Sequence, residues 1–276
     1  MKLFFKYLYL LGLLTMTFGC EEVVDIPLEN TNPKLVIDAN LTWQKGTTGA
    51  QQTIKLSITN DFYTNEIKIA SGAIVTVTDN DNTLFTFNQK PNTPDYVCTN
   101  FTPAINKEYT LKVVYEGQTY TSSSKLLSSP AFEPEVKQSL VPGFGAKEII
   151  KLQLFFKDNA LEENYYLLSA KNPKLFIQEF LSLEDRFTQG NIMEAAYFNE
   201  KTQKDDNFKF SLQAVNKTHF NYIKKLLSIS GQNSGGPFST PPATLRGNII
   251  NQTDSENYPF GFFSVSEIDY KEYTVK

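Results

Sequence analysis

The sequence is short of the residues that carry most enzymatic chemistry. It holds one histidine, His219, one tryptophan, Trp43, and two cysteines, Cys20 and Cys98. A single imidazole excludes a zinc site built on two or three histidines of the chain. A Ser-His-Asp triad would have to recruit His219, and no Gly-x-Ser-x-Gly elbow exists; Gly231-Gln232-Asn233-Ser234-Gly235 has the wrong spacing. Neither the Walker spacing nor Gly-x-Gly-x-x-Gly occurs, so no glycine loop is built to cradle a phosphate. Lys and Arg form no cluster that could neutralise a run of phosphates, which excludes the usual nucleic-acid surfaces. Beyond residue 20 no apolar run reaches the roughly 20 residues of a spanning helix.

The first twenty residues read as a processing signal. Lys2 and Lys6 precede an apolar stretch from Tyr7 to Leu14, which ends at Thr17-Phe18-Gly19-Cys20. A small residue before a cysteine is what a lipoprotein peptidase cuts, although Thr17 stands where Leu is usual. The expected product begins at Cys20 with acyl chains on its thiol, and residues 1–19 are left out of the fold. Each buried CH₂ contributes about 0.8 kcal/mol, so two or three chains hold a protein on a membrane where one does not. Glu21 and Glu22, with Asp25 behind them, resemble the acidic surface-export signal that follows the lipidated cysteine in some lipoproteins; the alternative reading is a solvated acidic tether. Loss of Lys2 and Lys6 moves the net charge two units further negative than −4. Cys98, in the strand-like Tyr96-Val97-Cys98-Thr99, is then the only free thiol and is expected to be buried and structural, with no disulfide in the chain.

The carboxylates offer little more. Asp79-Asn80-Asp81-Asn82 supplies hard oxygen ligands in a turn, but an EF-hand would need Gly at Leu84 and Glu at Lys90, and Asp and Asn are ordinary turn residues. Calcium at Asp79 and Asp81 is therefore an open question, and no metal or cofactor site is assigned. Glu162-Glu163, Glu184-Asp185 and Asp205-Asp206 could supply a glycosidase pair only if two carboxyls faced each other across one cleft. Each lies in a charged, loop-like stretch. His219 opens the one helical pattern and is expected at the surface or half packed.

Alternation of period two dominates the rest. Ile54, Leu56 and Ile58 alternate with polar residues, as do Ala73, Val75 and Val77, and Tyr109, Leu111 and Val113. The predicted fold is mostly β: an immunoglobulin-like β-sandwich over residues 34–128, after a tether at 20–33, then a second β-rich domain over 135–276 with one short helix. Ser128 to Pro134 reads as a linker. Strands are expected at Ile149 to Phe156, Tyr165 to Ala170 and Lys174 to Phe180. The helix is predicted near 217–228, capped by Asn216 or Thr218, with Phe220, Ile223, Leu226 and Leu227 on one face. A Gly/Ser/Pro-rich loop follows, and its Pro237, Phe238, Pro241 and Pro242 read as a partner-binding element. Proline lowers the entropy cost of docking and an aromatic supplies an anchor.

Several segments together resemble a family of outer-membrane lipoproteins of the Bacteroidota catalogued as domain of unknown function 4249. They are Lys34-Leu35-Val36-Ile37-Asp38-Ala39-Asn40-Leu41, Ser71 to Asp79, Tyr109 to Val113 with Gly117 to Ser122, Pro237 to Pro242 with Gly247-Asn248-Ile249, and Gly261 to Ser266. The resemblance runs in order through nearly the whole chain after Cys20 and is weakest from Leu175 to Lys204. It carries over no catalytic residue. It implies a non-enzymatic, lipid-anchored protein of the outer membrane, exposed at the cell surface, serving a TonB-dependent, SusC-like receptor in substrate capture or uptake. A cell-surface adhesion or structural module without a transporter partner is the alternative.

Overall fold

The period-two segments form strands because alternate side chains reach a core while those between them face away. The computed structural model describes residues 32–60, 66–143, 145, 147–160, 162–186, 188–230 and 245–276. Pro33–Lys276 is one compact unit of two sandwiches. The first contains β1 (Leu35–Gln44), β2 (Gln52–Ile58), β3 (Lys68–Ile69), β4 (Ile74–Asp79), β5 (Leu84–Gln89), β6 (Asp95–Cys98), β7 (Glu108–Tyr115) and β8 (Gln118–Lys125). Ile37, Ala39, Leu41, Ile54 and Leu56 from one layer meet Val75, Val77, Phe85, Leu111 and Val113 from the other. β5 pairs with β4 through Val75↔Phe87 and with β6 through Gln89↔Tyr96, so it carries the chain from one layer to the other. Cys98 is buried in this core, as its sequence context predicts.

Tyr109 carries a mark of immunoglobulin-like folds, a tyrosine corner. From the start of β7 its hydroxyl donates to Thr102 O at 3.0 Å and accepts from Ala104 N at 3.0 Å. Both backbone groups lie in the preceding connection, which the phenol ties to the core.

The second sandwich packs β9 (Phe132–Pro142), β10 (Glu148–Lys157) and β13 (Ile192–Phe198) against β11 (Tyr165–Lys171), β12 (Glu179–Glu184), β14 (Asn207–Val215) and the second half of β16 (Phe260–Thr274). Its core joins Leu152, Leu154 and Phe156 to Tyr166, Leu168, Phe208, Phe210 and Leu212. The mostly β expectation holds, with a single helix, α1 (Lys217–Ile229), among the described residues.

β16 departs from a division of the chain into sequential domains at 128–135. Its residues 260–268 pair in parallel with β1, from Val36↔Phe260 to Gln44↔Ile268. Its residues 268–274 pair with β14, from Gln213↔Ile268 to Asn207↔Thr274. Phe263 and Val265 therefore belong to the first core and Tyr273 packs on the second. Ile250–Asn251 (β15) also joins the first sandwich, on β8. A linear reading of strands cannot anticipate this exchange, because hydrophobic alternation marks a buried face without naming its partner strand.

The parallel ladder is tight. Gly261 has φ +106°, and a Cβ there would overlap the Ile37 carbonyl; a Cβ on Gly247 would overlap the Gly261 carbonyl. Both positions need glycine for a close backbone approach, and Gly261 needs it for its dihedral as well.

Three local expectations are corrected. The Lys174 to Phe180 strand begins later, at Glu179, because Asn172 turns the chain by accepting from Lys174 N at 2.8 Å and, through its carbonyl, from Leu175 N at 3.1 Å. Leu226 lies off the packed face of α1 at 38% exposure, whereas His219 lies on it at 4%. The predicted linker is held fast: Glu267 N donates to Leu127 O at 2.8 Å, Ser129 Oγ donates to Leu212 O at 3.1 Å, and Phe132 N donates to Asp269 Oδ2 at 2.8 Å.

Candidate functional site

Where the sandwiches meet, a cleft of about 770 Å³ opens between the end of β8, the connection at Ser128–Pro130, the β10–β11 loop and the start of α1. Ser and Pro in the connection keep it slim, and Asn216 starts the helix at its edge. The Asn216 side chain accepts from His219 N at 2.8 Å, which selects it as cap over Thr218. Lys125, Lys157 and Lys217 face the cleft together with Asp158, Glu162 and Glu163.

Two of these carboxylates, Asp158 and Glu163, are engaged by neighbours, and Glu162 is exposed. Asp158 is buried, accepts from the Tyr166 hydroxyl on one oxygen, and accepts from Gly190 N at 2.9 Å on the other. Burial and this carboxylate push the Tyr166 phenol well above its ordinary range, so it stays protonated. Glu163 lies at the rim, where its bond with Tyr165 and the Lys217 ammonium 3.6 Å away hold its carboxyl below the ordinary range against some desolvation. Asn164 braces the loop, donating from its backbone N to Asp185 Oδ2 at 2.9 Å and from Nδ2 to Glu162 O at 2.7 Å.

The other carboxylate pairs are separated in role. Asp185 is buried as that brace, while Glu184 beside it is exposed. Asp206 is buried, accepts from Gln203 N at 2.8 Å and meets Lys174 at 3.2 Å, whereas Asp205 is exposed in a turn. Adjacent residues in sequence thus face different surroundings.

The Asp79-Asn80-Asp81-Asn82 turn holds an internal cation. Lys107 Nζ lies 2.6 Å from Asp79 Oδ2 and 2.9 Å from Asp81 Oδ2, where a calcium ion would have to sit. Asp79 Oδ1 also accepts from Thr83 N at 2.8 Å and Asp81 N at 3.0 Å. Burial works against the Asp79 charge, but Lys107 and these two N–H groups outweigh it and hold the carboxyl below its ordinary range. Among the described residues no group of three His, Cys, Asp or Glu could hold a metal ion. Sequence reading missed Lys107 because it lies far along the chain, at the start of β7.

His219 is packed away. Its ring stacks on Phe262 with centroids 4.5 Å apart, and burial lowers its pKa from 6.5 to about 4. It is neutral at physiological pH, and its Nδ1 has no hydrogen-bond partner. Cys20, expected to be lipidated, Glu21 and Glu22, expected to direct export, and the loop residues Pro237, Phe238, Pro241 and Pro242 lie outside the described residues. No described helix is long and apolar enough to cross a membrane.

Several solved structures are similar in fold. A segment of two fibronectin type-III domains from chicken tenascin is 13% identical, with 67% of this chain and 92% of that chain covered and a TM-score of 0.22. A cytokine receptor complex matches at 8% identity, covering 68% of this chain and 87% of that chain, with a TM-score of 0.27. The FN1–FN3 domains of chicken CNTN1 match at 12% identity over 70% of this chain and 64% of that chain, with a TM-score of 0.25. Such loose likenesses carry nothing about function. Among curated proteins none matches the sequence. Residues 21–272 match the family described as Domain of unknown function (DUF4249), and the chain belongs to that family.

Proposed function

We propose that the chain is a non-enzymatic lipoprotein, held on the outer membrane through acylated Cys20 and exposed at the cell surface, that serves a TonB-dependent receptor in capturing or admitting its substrate. One observation carries the reading: the family match begins at Glu21, the residue directly after Cys20. The tether expected at residues 20–33 would reach at most about 50 Å if fully extended. Confinement to that layer raises the effective concentration of the sandwiches beside a membrane partner without any strong contact. Engagement of Asp158 by Tyr166 and Gly190, together with the buried, neutral His219, supports a binding role over catalysis.

Two measurements test it. Mass spectrometry of the mature N-terminus should find diacylglyceryl-modified Cys20. Capture of the lipidated protein in mild detergent should co-purify a large barrel protein, and capture of the Cys20→Ala variant should recover much less. An unmodified N-terminus, or capture with no barrel protein, overturns the proposal.

A further inference from the structure

The outer face of the second sandwich carries a groove of about 390 Å³, outside the cleft and independent of Cys20. Strand register fixes its design. Phe180, Ser169, Ser211 and Tyr270 form one row across β12, β11, β14 and β16. The two serines are the floor, buried to 3% and 8% exposure and hydrogen-bonded to each other, while the half-buried rings of Phe180 and Tyr270 flank them. A serine pair shares one hydroxyl proton, so one donor and spare lone pairs remain at the floor.

One step along the strands, Lys171 and Lys209 are direct cross-strand partners. On its other side Lys209 lies opposite Glu272, but neither lysine comes within salt-bridge distance of a carboxylate among the described residues. Lys209 Nζ instead leans over the Tyr270 ring, 4.5 Å from its centroid. On the other side of the serine row, Gln213 Nε2 donates to Asn40 Oδ1 at 2.8 Å and to Ser266 Oγ at 2.7 Å, which fixes both amides at the groove. No Asp or Glu lines it.

We propose that this groove binds a saccharide bearing an anionic group. The paired ammonium groups take the carboxylate or sulfate, the serine hydroxyls and the Asn40 amide take ring hydroxyls, and the aromatic walls take the apolar face of a sugar ring. The volume falls within the range of small-molecule sites.

Isothermal titration of the full chain in detergent tests this with three probes: trigalacturonate, a sulfated heparin disaccharide and neutral maltotriose. Saturable binding of a carboxylated or sulfated probe, with at least tenfold weaker binding of maltotriose, is expected. Lys171→Met with Lys209→Met should weaken binding at least tenfold while the unliganded variant keeps the parent's circular dichroism spectrum and a cooperative melt. Lys90→Met, in a distant turn, should bind as the parent does. No saturable binding of either anionic probe, equal binding of maltotriose, or undiminished binding by the double variant overturns the proposal. Cys20→Ala should bind unchanged, so failure of the membrane anchor and failure of the groove are read separately.

Discussion

Lys45 Nζ lies 2.6 Å from Glu267 Oε2, joining the end of β1 to the middle of β16 where the two sandwiches meet. The same oxygen accepts from Ser128 Oγ at 2.9 Å and Ser129 N at 3.1 Å, so one carboxylate pins the connection between the sandwiches. Glu267→Ala strands the Ser129 N–H and the Lys45 ammonium. It should cost about 1 to 3 kcal/mol, while Glu267→Gln, which still accepts, should cost less. Urea unfolding midpoints check the order, and an alanine variant as stable as the parent would contradict the pin.

His219 should make the protein sensitive to mild acid. Its pKa is 6.5 unfolded and about 4 folded, so the unfolded chain binds the extra proton between those values. The full contribution is present above pH 6.5 and is lost progressively down to about pH 4, amounting to about 3 kcal/mol across that window. His219→Phe, which keeps a ring against Phe262, should flatten the stability profile between pH 4 and 6.5. An unchanged slope in that variant would show that another group titrates.

Asp79 acts at lower pH. Its folded pKa lies below 3.8, so its contribution is complete above that value and disappears as pH falls through the folded pKa. Lys107→Met should bring the onset of acid unfolding to higher pH by removing the cation that holds the carboxylate ionised. The same turn should give no calcium-dependent shift in thermal melting of the parent protein, because Lys107 fills the position between Asp79 and Asp81. A rise in melting temperature with millimolar calcium that Asp81→Ala abolishes would refute this.

Gly261→Ala should be among the most damaging single changes in the chain. The new methyl meets the Ile37 carbonyl at a backbone dihedral that L-residues rarely adopt. The loss should exceed about 3 kcal/mol. Circular dichroism melts of this variant beside Gly46→Ala, a positive-φ glycine with open space around it, separate the clash from the dihedral cost.

Much of the architecture was legible. Ile54-Leu56-Ile58 and Tyr109-Leu111-Val113 alternate cleanly, and the structure makes them β2 and β7. β14 went unread, although Phe208, Phe210, Leu212 and Ala214 alternate with Lys209, Ser211 and Gln213 and point inward. What local pattern could not supply was partnership. Nothing near Val36 indicates that it pairs with Phe260, and nothing near Asp79 indicates that Lys107 neutralises it. The groove was hidden for the same reason: Ser169, Ser211 and Tyr270 become a row only when three distant strands lie side by side.

The shared strand also governs how this protein can be made. Asn40 accepts from Ser264, a residue 224 positions later, so the edge of β1 has no hydrogen-bonding neighbour until almost all the chain has emerged. Assembly of the first half therefore waits on the second, and such long loop closures slow folding. A polypeptide whose ladder closes this late leaves an adhesive strand edge open in the meantime. Refolding yield should therefore fall with protein concentration more steeply than the intrinsic strength of either core would suggest.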